Sequence, residues 1–175
     1  MVRRVQTTRR AAVGTLLSVG AGFWTGSFSS GSQKNSISDK LNVAIVGAGK
    51  GSIGGIANLP AMSGENVVAI CDVDDHYAGP AREANPQARQ WKDFRKMLEV
   101  QKDIEAVVVS TPDHLHAAIS VMAMSLGKHV YCEKPLARTI YDARKMAETA
   151  SEYQVVTQMG NQGTSHARFL EGVRA

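Results

Sequence analysis

Glu133-Lys134-Pro135 sets a carboxylate and an amine at the end of His129-Val130-Tyr131-Cys132, a short run that reads as a buried-type strand. A lysine ammonium at such a partly desolvated strand end can hydrogen-bond a substrate hydroxyl, or exchange a proton with it if its pKa is brought down. Either role suits alcohol oxidation. Hydride leaves a carbinol carbon only as the hydroxyl proton departs, and a nearby positive charge steadies the developing alkoxide. Pro135 fixes the chain's exit from the strand and permits a cis peptide bond. By itself, Glu-Lys-Pro is equally what an exposed turn looks like, so its meaning depends on what the rest of the chain places beside it.

A second chemistry-bearing segment is Val43-Ala44-Ile45-Val46 running into Gly47-Ala48-Gly49-Lys50-Gly51-Ser52-Ile53-Gly54-Gly55. Glycines at such a turn let the backbone approach a pyrophosphate, and a helix opening there offers unpaired N–H groups and partial positive charge. Strict G-x-G-x-x-G spacing would put the third glycine at position 52, which is Ser52, with Gly51 and Gly54 on either side. The loop alone is weak evidence, since a structural turn needs glycines too. An acid accompanies it: Val67-Val68-Ala69-Ile70-Cys71 ends in Asp72, 25 residues after Gly47, where a carboxylate can accept hydrogen bonds from a ribose diol. The expected cofactor is NAD, because a 2′-phosphate would be repelled; NADP stays open if a nearby Arg intervenes. Asp74 and Asp75 add to that bias or cap the next helix.

A third segment, Thr111-Pro112-Asp113-His114-Leu115-His116, follows Val107-Val108-Val109-Ser110. Two histidines at i, i+2 cannot share a helix face, so no metal site is expected from them. One of the two reads as a helix N-cap.

These segments need a scaffold that brings strand ends together. Leu41–Val46, Asn66–Cys71, Ile104–Ser110, His129–Cys132 and Val155–Met159 read as strands, with a brief one near Ala88–Trp91. Leu115, Ala118, Ile119 and Met122 follow the i, i+3, i+4, i+7 pattern of a helix face, and Ile140, Ala143, Ala147 and Ala150 repeat it with Thr139 as N-cap. Strands alternating with helices at this interval predict an α/β fold, a doubly wound parallel sheet covered on both faces. Ligands then bind at the carboxyl edge of the sheet, where all three segments fall.

Together with Gly127-Lys128-His129-Val130 and the order of the motifs, this pattern resembles the Gfo/Idh/MocA (glucose-fructose oxidoreductase/inositol dehydrogenase) family over residues 40–165. The resemblance implies a Rossmann domain whose dinucleotide contacts are Gly47, Gly49, Gly51, Ser52, Asp72, Thr111, Pro112, His116, Glu133 and Lys134, with Asn161 or Gln162 beside the nicotinamide. Lys134 is then the catalytic residue, and Glu133 either orients it or contacts the nicotinamide ribose. The implied function is NAD(P)-dependent hydride transfer on a sugar, cyclitol or related polyol; the alternatives are an NAD-dependent glycoside hydrolase of the same family and a non-catalytic dinucleotide-binding protein. Relatives carry a second, substrate-binding domain, and nothing in these 175 residues corresponds to it. The chain alone is therefore expected to bind cofactor weakly and to turn over no substrate, and the full-length protein to form homo-oligomers.

Residues 1–30 read as a twin-arginine (Tat) export signal: a positive region ending at Arg9-Arg10 precedes an uncharged stretch from Ala11 to Gln33. Only about half of Ala11–Phe28 is apolar, too little for a membrane span of roughly 20 predominantly apolar residues. The expectation is periplasmic, with cytoplasmic the alternative without the signal. A linker at 31–39, the dinucleotide domain at 40–164 and the start of a further region at 165–175 complete the organisation. Four of the 20 Lys and Arg residues precede residue 11, and the remaining 16 balance the 16 Asp and Glu, so the net charge of +4 gives no reason to expect nucleic acid as a partner. Cys71 and Cys132 end strands three spacings apart in the order 3-2-1-4-5-6, about 14 Å against a limit of roughly 7 Å, and are expected to be free, buried thiols.

Overall fold

Six strands form one parallel sheet in the computed structural model, in the order β3-β2-β1-β4-β5-β6. The structure describes residues 40–49, 62–161 and 171–173. The chain divides into Met1–Lys34 and Asn35–Ala175, and every described residue belongs to the second unit. The strands are β1 (Asn42–Val46), β2 (Asn66–Cys71), β3 (Arg89–Trp91), β4 (Ala106–Val109), β5 (His129–Glu133) and β6 (Thr157–Gly160). Described helices are α1 (Asp75–Ala84), α2 (Phe94–Val100), α3 (Asp113–Ser125) and α4 (Ile140–Tyr153).

Alternation along the central strands divides two cores. Ala44 and Val46 of β1, Val107 and Val109 of β4, and Val130 and Cys132 of β5 face one cluster, which takes in Met97 and Leu98 of α2, Ile119, Ala123 and Met124 of α3, and Met146 of α4. Ile45 and Ile70 point the other way, into a cluster with Ala48 and Ala81. Both isoleucines are fully buried, and removing such a side chain from water contributes roughly 1.5–3 kcal/mol. Apolar residues on both faces are what a parallel sheet requires, and this is why β1 and β4 read as nearly continuous hydrophobic runs.

Register then aligns the strand ends. Val46 lies opposite Cys71 and Val109, while Val109 lies opposite Cys132, so the residues that follow each strand emerge at one edge. Gly47 N–H donates to the Cys71 carbonyl (2.9 Å), Ser110 N–H to Val46 (2.8 Å) and Asp72 N–H to Trp91 (3.0 Å), which ties those departing residues together.

Helix starts follow local chemistry. Asp74 caps α1 by accepting from the His76 and Tyr77 amides, as expected for an acid in that turn. Thr139 caps α4 by accepting from Asp142 N–H at 3.0 Å. The histidine expected as the cap of α3 is not one: Pro112 holds that position without a side-chain hydrogen bond, His114 is exposed, and His116 lies buried in the first turns. Proline suits the place because its fixed φ precedes the helix and no amide is lost. Both cysteines are free and buried. Burial pushes the Cys71 thiol up to about 12 and the Cys132 thiol up to about 11, since a thiolate would have to be desolvated.

Candidate functional site

Gly47 ends β1 with φ +84°, and a Cβ there would stand 2.6 Å from the Ser110 carbonyl oxygen and 2.7 Å from the Thr111 amide nitrogen. Both obstacles are backbone. Only glycine permits this approach of the β1 and β4 ends, because it has no Cβ and adopts positive φ without penalty. At Gly49 a Cβ would meet Tyr77 Cβ at 3.2 Å and Asp72 Oδ2 at 3.4 Å, so the loop after β1 also passes close to the acid after β2.

A cleft of about 530 Å³ opens at this edge of the sheet. It joins Gly47 and Gly49 after β1, Asp72 after β2, Thr111, Pro112 and His116 around the start of α3, and Glu133 and Lys134 at the end of β5. Eight sequence-predicted residues from four strand ends thus share one wall. Of the others, Asn161 follows β6 and is not among the residues that line the cleft, whereas Gly51, Ser52 and Gln162 lie outside the described residues.

Polar groups in the cleft suit a dinucleotide. Asp72 accepts from Asp74 N–H at 3.0 Å through Oδ1, which orients its carboxylate at the rim. Ser110 Oγ and Thr111 Oγ1 are buried and have no hydrogen-bond partner among the described residues. Such hydroxyls in a cleft wall can hydrogen-bond a bound dinucleotide, which offsets the cost of burying them. Two close-approach glycines, a rim carboxylate and two orphaned hydroxyls are what the phosphates and ribose of a dinucleotide require.

His116 occupies a different place from the rest. It is 1% exposed, with Nε2 2.8 Å from the Thr111 carbonyl and Nδ1 2.8 Å from the Pro135 carbonyl. It therefore joins the turn after β4 to the turn after β5. Lys134 and Glu133 differ just as sharply: Glu133 is 6% exposed, while Lys134 is exposed at the mouth and not partly desolvated as expected. The Lys134–Pro135 peptide is cis.

Residues that sequence reasoning did not single out complete the wall: Tyr77 of α1, Lys92 after β3, and Ser110. Opposite Glu133, the cross-strand partner Gly160 leaves room that other side chains use. A Cβ at position 160 would stand 2.7 Å from the Tyr131 hydroxyl and 2.9 Å from Glu133 Oε2. Burial and the neighbouring Glu133 carboxylate hold the Tyr131 phenol above its ordinary pKa, so it stays a protonated donor beside that acid. The signal for Tyr131 was its i, i+2 spacing from Glu133, which puts both on one face of β5. Among the described residues no group of three or more His, Cys, Asp or Glu is arranged to hold a metal, and no helix is long and apolar enough to cross a membrane.

Known proteins are similar to this chain in sequence and in fold. Inositol 2-dehydrogenase from Salmonella typhimurium (strain LT2) is 34% identical over 113 residues, covering 62% of this chain and 32% of that protein. A glycosyl hydrolase family 109 protein from Shewanella sp. (strain W3-18-1) is 28% identical over 148 residues, covering 78% of this chain and 32% of that protein. Among solved structures, the WlbA dehydrogenase from Chromobactrium violaceum, in complex with NADH and UDP-GlcNAcA, superposes with a TM-score of 0.68 at 27% identity, over 78% of this chain and 39% of that one. The chain spans about a third of the length of the curated relatives it matches. Residues 41–161 match the oxidoreductase family with an NAD-binding Rossmann fold, and the chain belongs to that family, Gfo/Idh/MocA.

Proposed function

We propose that the protein is an NAD-dependent oxidoreductase that moves hydride between the nicotinamide and a secondary alcohol of a sugar, cyclitol or related polyol. The observation that carries this reading is the single cleft in which the Gly47–Gly49 turn and Asp72 meet Glu133 and Lys134. Gly47, Gly49, Ser110 and Thr111 receive the pyrophosphate, Asp72 the adenosine ribose, and Glu133 the nicotinamide ribose, with Gly51, Ser52, Pro112, Asn161 and Gln162 completing the contacts. NAD, when bound, supplies the hydride acceptor. Lys134, at the mouth of the cleft, holds the substrate hydroxyl and steadies the oxygen as its proton passes to solvent water there. His116 acts on the site by holding the turn that carries Lys134.

Formation of NADH at 340 nm with a panel of polyols and sugars tests this reading in the protein that contains this chain. Lys134→Gln is expected to lower kcat by roughly 10²–10⁴ while leaving the NADH dissociation constant within about fivefold. Equal turnover by wild type and K134Q would refute the role of Lys134. Likeness to a glycosyl hydrolase family 109 protein favours a second reading, glycoside cleavage by transient oxidation. Sugar release from a glycoside without net NADH would select it.

The proposal extends to the cell. Arg9-Arg10 and the uncharged stretch after them are a twin-arginine export signal that delivers a folded, cofactor-loaded protein to the periplasm, where it works as a homo-oligomer. Exchanging both arginines for lysine should retain the protein in the cytoplasm; unchanged export would refute the signal. A monomer by light scattering would refute the oligomer.

A further inference from the structure

The side of the cleft beyond Asp72 carries more charge than ribose binding needs. Asp72 N–H donates to the carbonyl of Trp91, the last residue of β3, so Lys92 leaves the backbone one peptide from the ribose-binding acid. Lys92 lines the same cleft as Asp72. Its ammonium is nevertheless engaged elsewhere: Nζ donates to Asp75 Oδ2 at 2.7 Å, while the other oxygen of that carboxylate accepts from Arg82 Nη1 at 2.6 Å. One carboxylate thus lies between a lysine and an arginine, as a phosphate monoester would.

We propose that Asp75 reinforces the coenzyme preference that Asp72 gives this cleft, by holding the Lys92 ammonium away from the position a 2′-phosphate on the adenosine ribose would take. This rests on the reading of the cleft as a dinucleotide site. Asp72 excludes the 2′-phosphate by repulsion, and Asp75 does so by occupying the cation that would otherwise receive it. Hydrogen bonds from Lys92 and then Arg82 hold the Asp75 carboxyl below its ordinary pKa, so the decoy carries its charge at neutral pH. The Lys92–Asp75 pair is exposed, at 66% and 56% for the two side chains, and such pairs are individually weak. Lys92 therefore returns to the cleft once its partner is removed, whereas Arg82, carried in the last turn of α1 with a side chain 14% exposed, is not among the residues that line the cleft.

Fluorescence titration of the protein that contains this chain, with NADH and with NADPH, reads the preference without turnover. Asp75→Ala should shift the ratio of the two dissociation constants toward NADPH by roughly tenfold, the size of one charge-assisted contact, and not invert it, since Asp72 remains. Asp75→Asn, which keeps the side-chain shape, should shift it in the same direction by about threefold or more. Adding Lys92→Ala to D75A should return the ratio to within about twofold of the parent. An unmoved ratio in both D75A and D75N, with NADH binding intact, overturns the proposal alone, as does a gain that survives K92A. Failure of the parent protein to bind NADH overturns the dinucleotide site and this proposal with it.

Discussion

His116 Nδ1 lies 2.8 Å from the carbonyl oxygen of Pro135, nineteen residues along the chain, and its other ring nitrogen lies equally close to the Thr111 carbonyl. One buried ring thus spans the turns that follow β4 and β5. Which nitrogen carries the proton decides which carbonyl receives the hydrogen bond, but the ring fills the gap between the turns in either tautomer.

His116→Ala should therefore destabilise the chain by about 2–4 kcal/mol, from the cavity and the lost polar contact together. Urea unfolding followed by far-UV circular dichroism measures this. His116→Gln, which retains a donor, should recover part of the loss. A change below about 0.5 kcal/mol for H116A would mean that the turns are held by other contacts.

Gly47 and Gly49 should respond differently to the same methyl group. Gly47→Ala meets the Ser110 and Thr111 backbone at 2.6–2.7 Å with φ at +84°, and should cost about 3 kcal/mol or more while abolishing NADH binding. Gly49→Ala meets only Tyr77 and the Asp72 carboxylate at 3.2–3.4 Å. Its stability should change by less than about 1 kcal/mol, while NADH binding weakens by roughly tenfold because the methyl crowds the Asp72 carboxylate. Equal stability losses in the two variants would contradict this account.

Gly160→Ala should act on the site more than on the fold. The three atoms nearest its new methyl all belong to side chains, the Tyr131 hydroxyl and the Glu133 carboxylate, at 2.7–3.0 Å. A stability loss near 1 kcal/mol with a clear loss of NADH affinity is expected, and Tyr131→Phe in the same chain should restore part of that affinity by clearing the space. The diagnostic result is the double variant: if it binds NADH no better than G160A alone, the crowding is not at Tyr131.

Cys71 and Cys132 should be silent to a thiol reagent at pH 8 in the native chain and react together after denaturation. Their folded-state values of about 12 and about 11 lie above the ordinary 9.0, so the unfolded chain releases these protons first as pH rises. Their contribution to stability is complete below pH 9 and is lost progressively toward pH 11 and 12. Unfolding midpoints measured at pH 8, 9 and 10 should fall, and less steeply in a Cys71→Ala/Cys132→Ala chain. Parallel profiles for the two chains would remove the thiols as the cause.

What was legible in the chain was local. The apolar run Val43–Val46 ending in Gly47, the run Asn66–Cys71 ending in Asp72, and Glu133-Lys134-Pro135 after His129–Cys132 announce strands with polar ends, because burial on both faces and turn chemistry act between near neighbours. The strand order and the free cysteines followed from those elements, and the structure has the same order. The helix start at Pro112 is ambiguous in the sequence because a histidine and a proline in one short segment offer two caps, and only packing of α3 against the sheet decides which side chain turns inward.

By itself, then, the sequence determined an alternating α/β chain of this family with Gly47, Asp72, Thr111 and Lys134 at the carboxyl ends of four of its strands. Tertiary structure alone decided that Gly47 passes within backbone contact of Ser110, that His116 spans two turns, that Gly160 makes room for Tyr131 and Glu133, and that Asp75 holds Lys92 at the rim. The reason is physical: periodicity reports which face of an element is buried, whereas distances between strand ends depend on register and on how helices seat against the sheet.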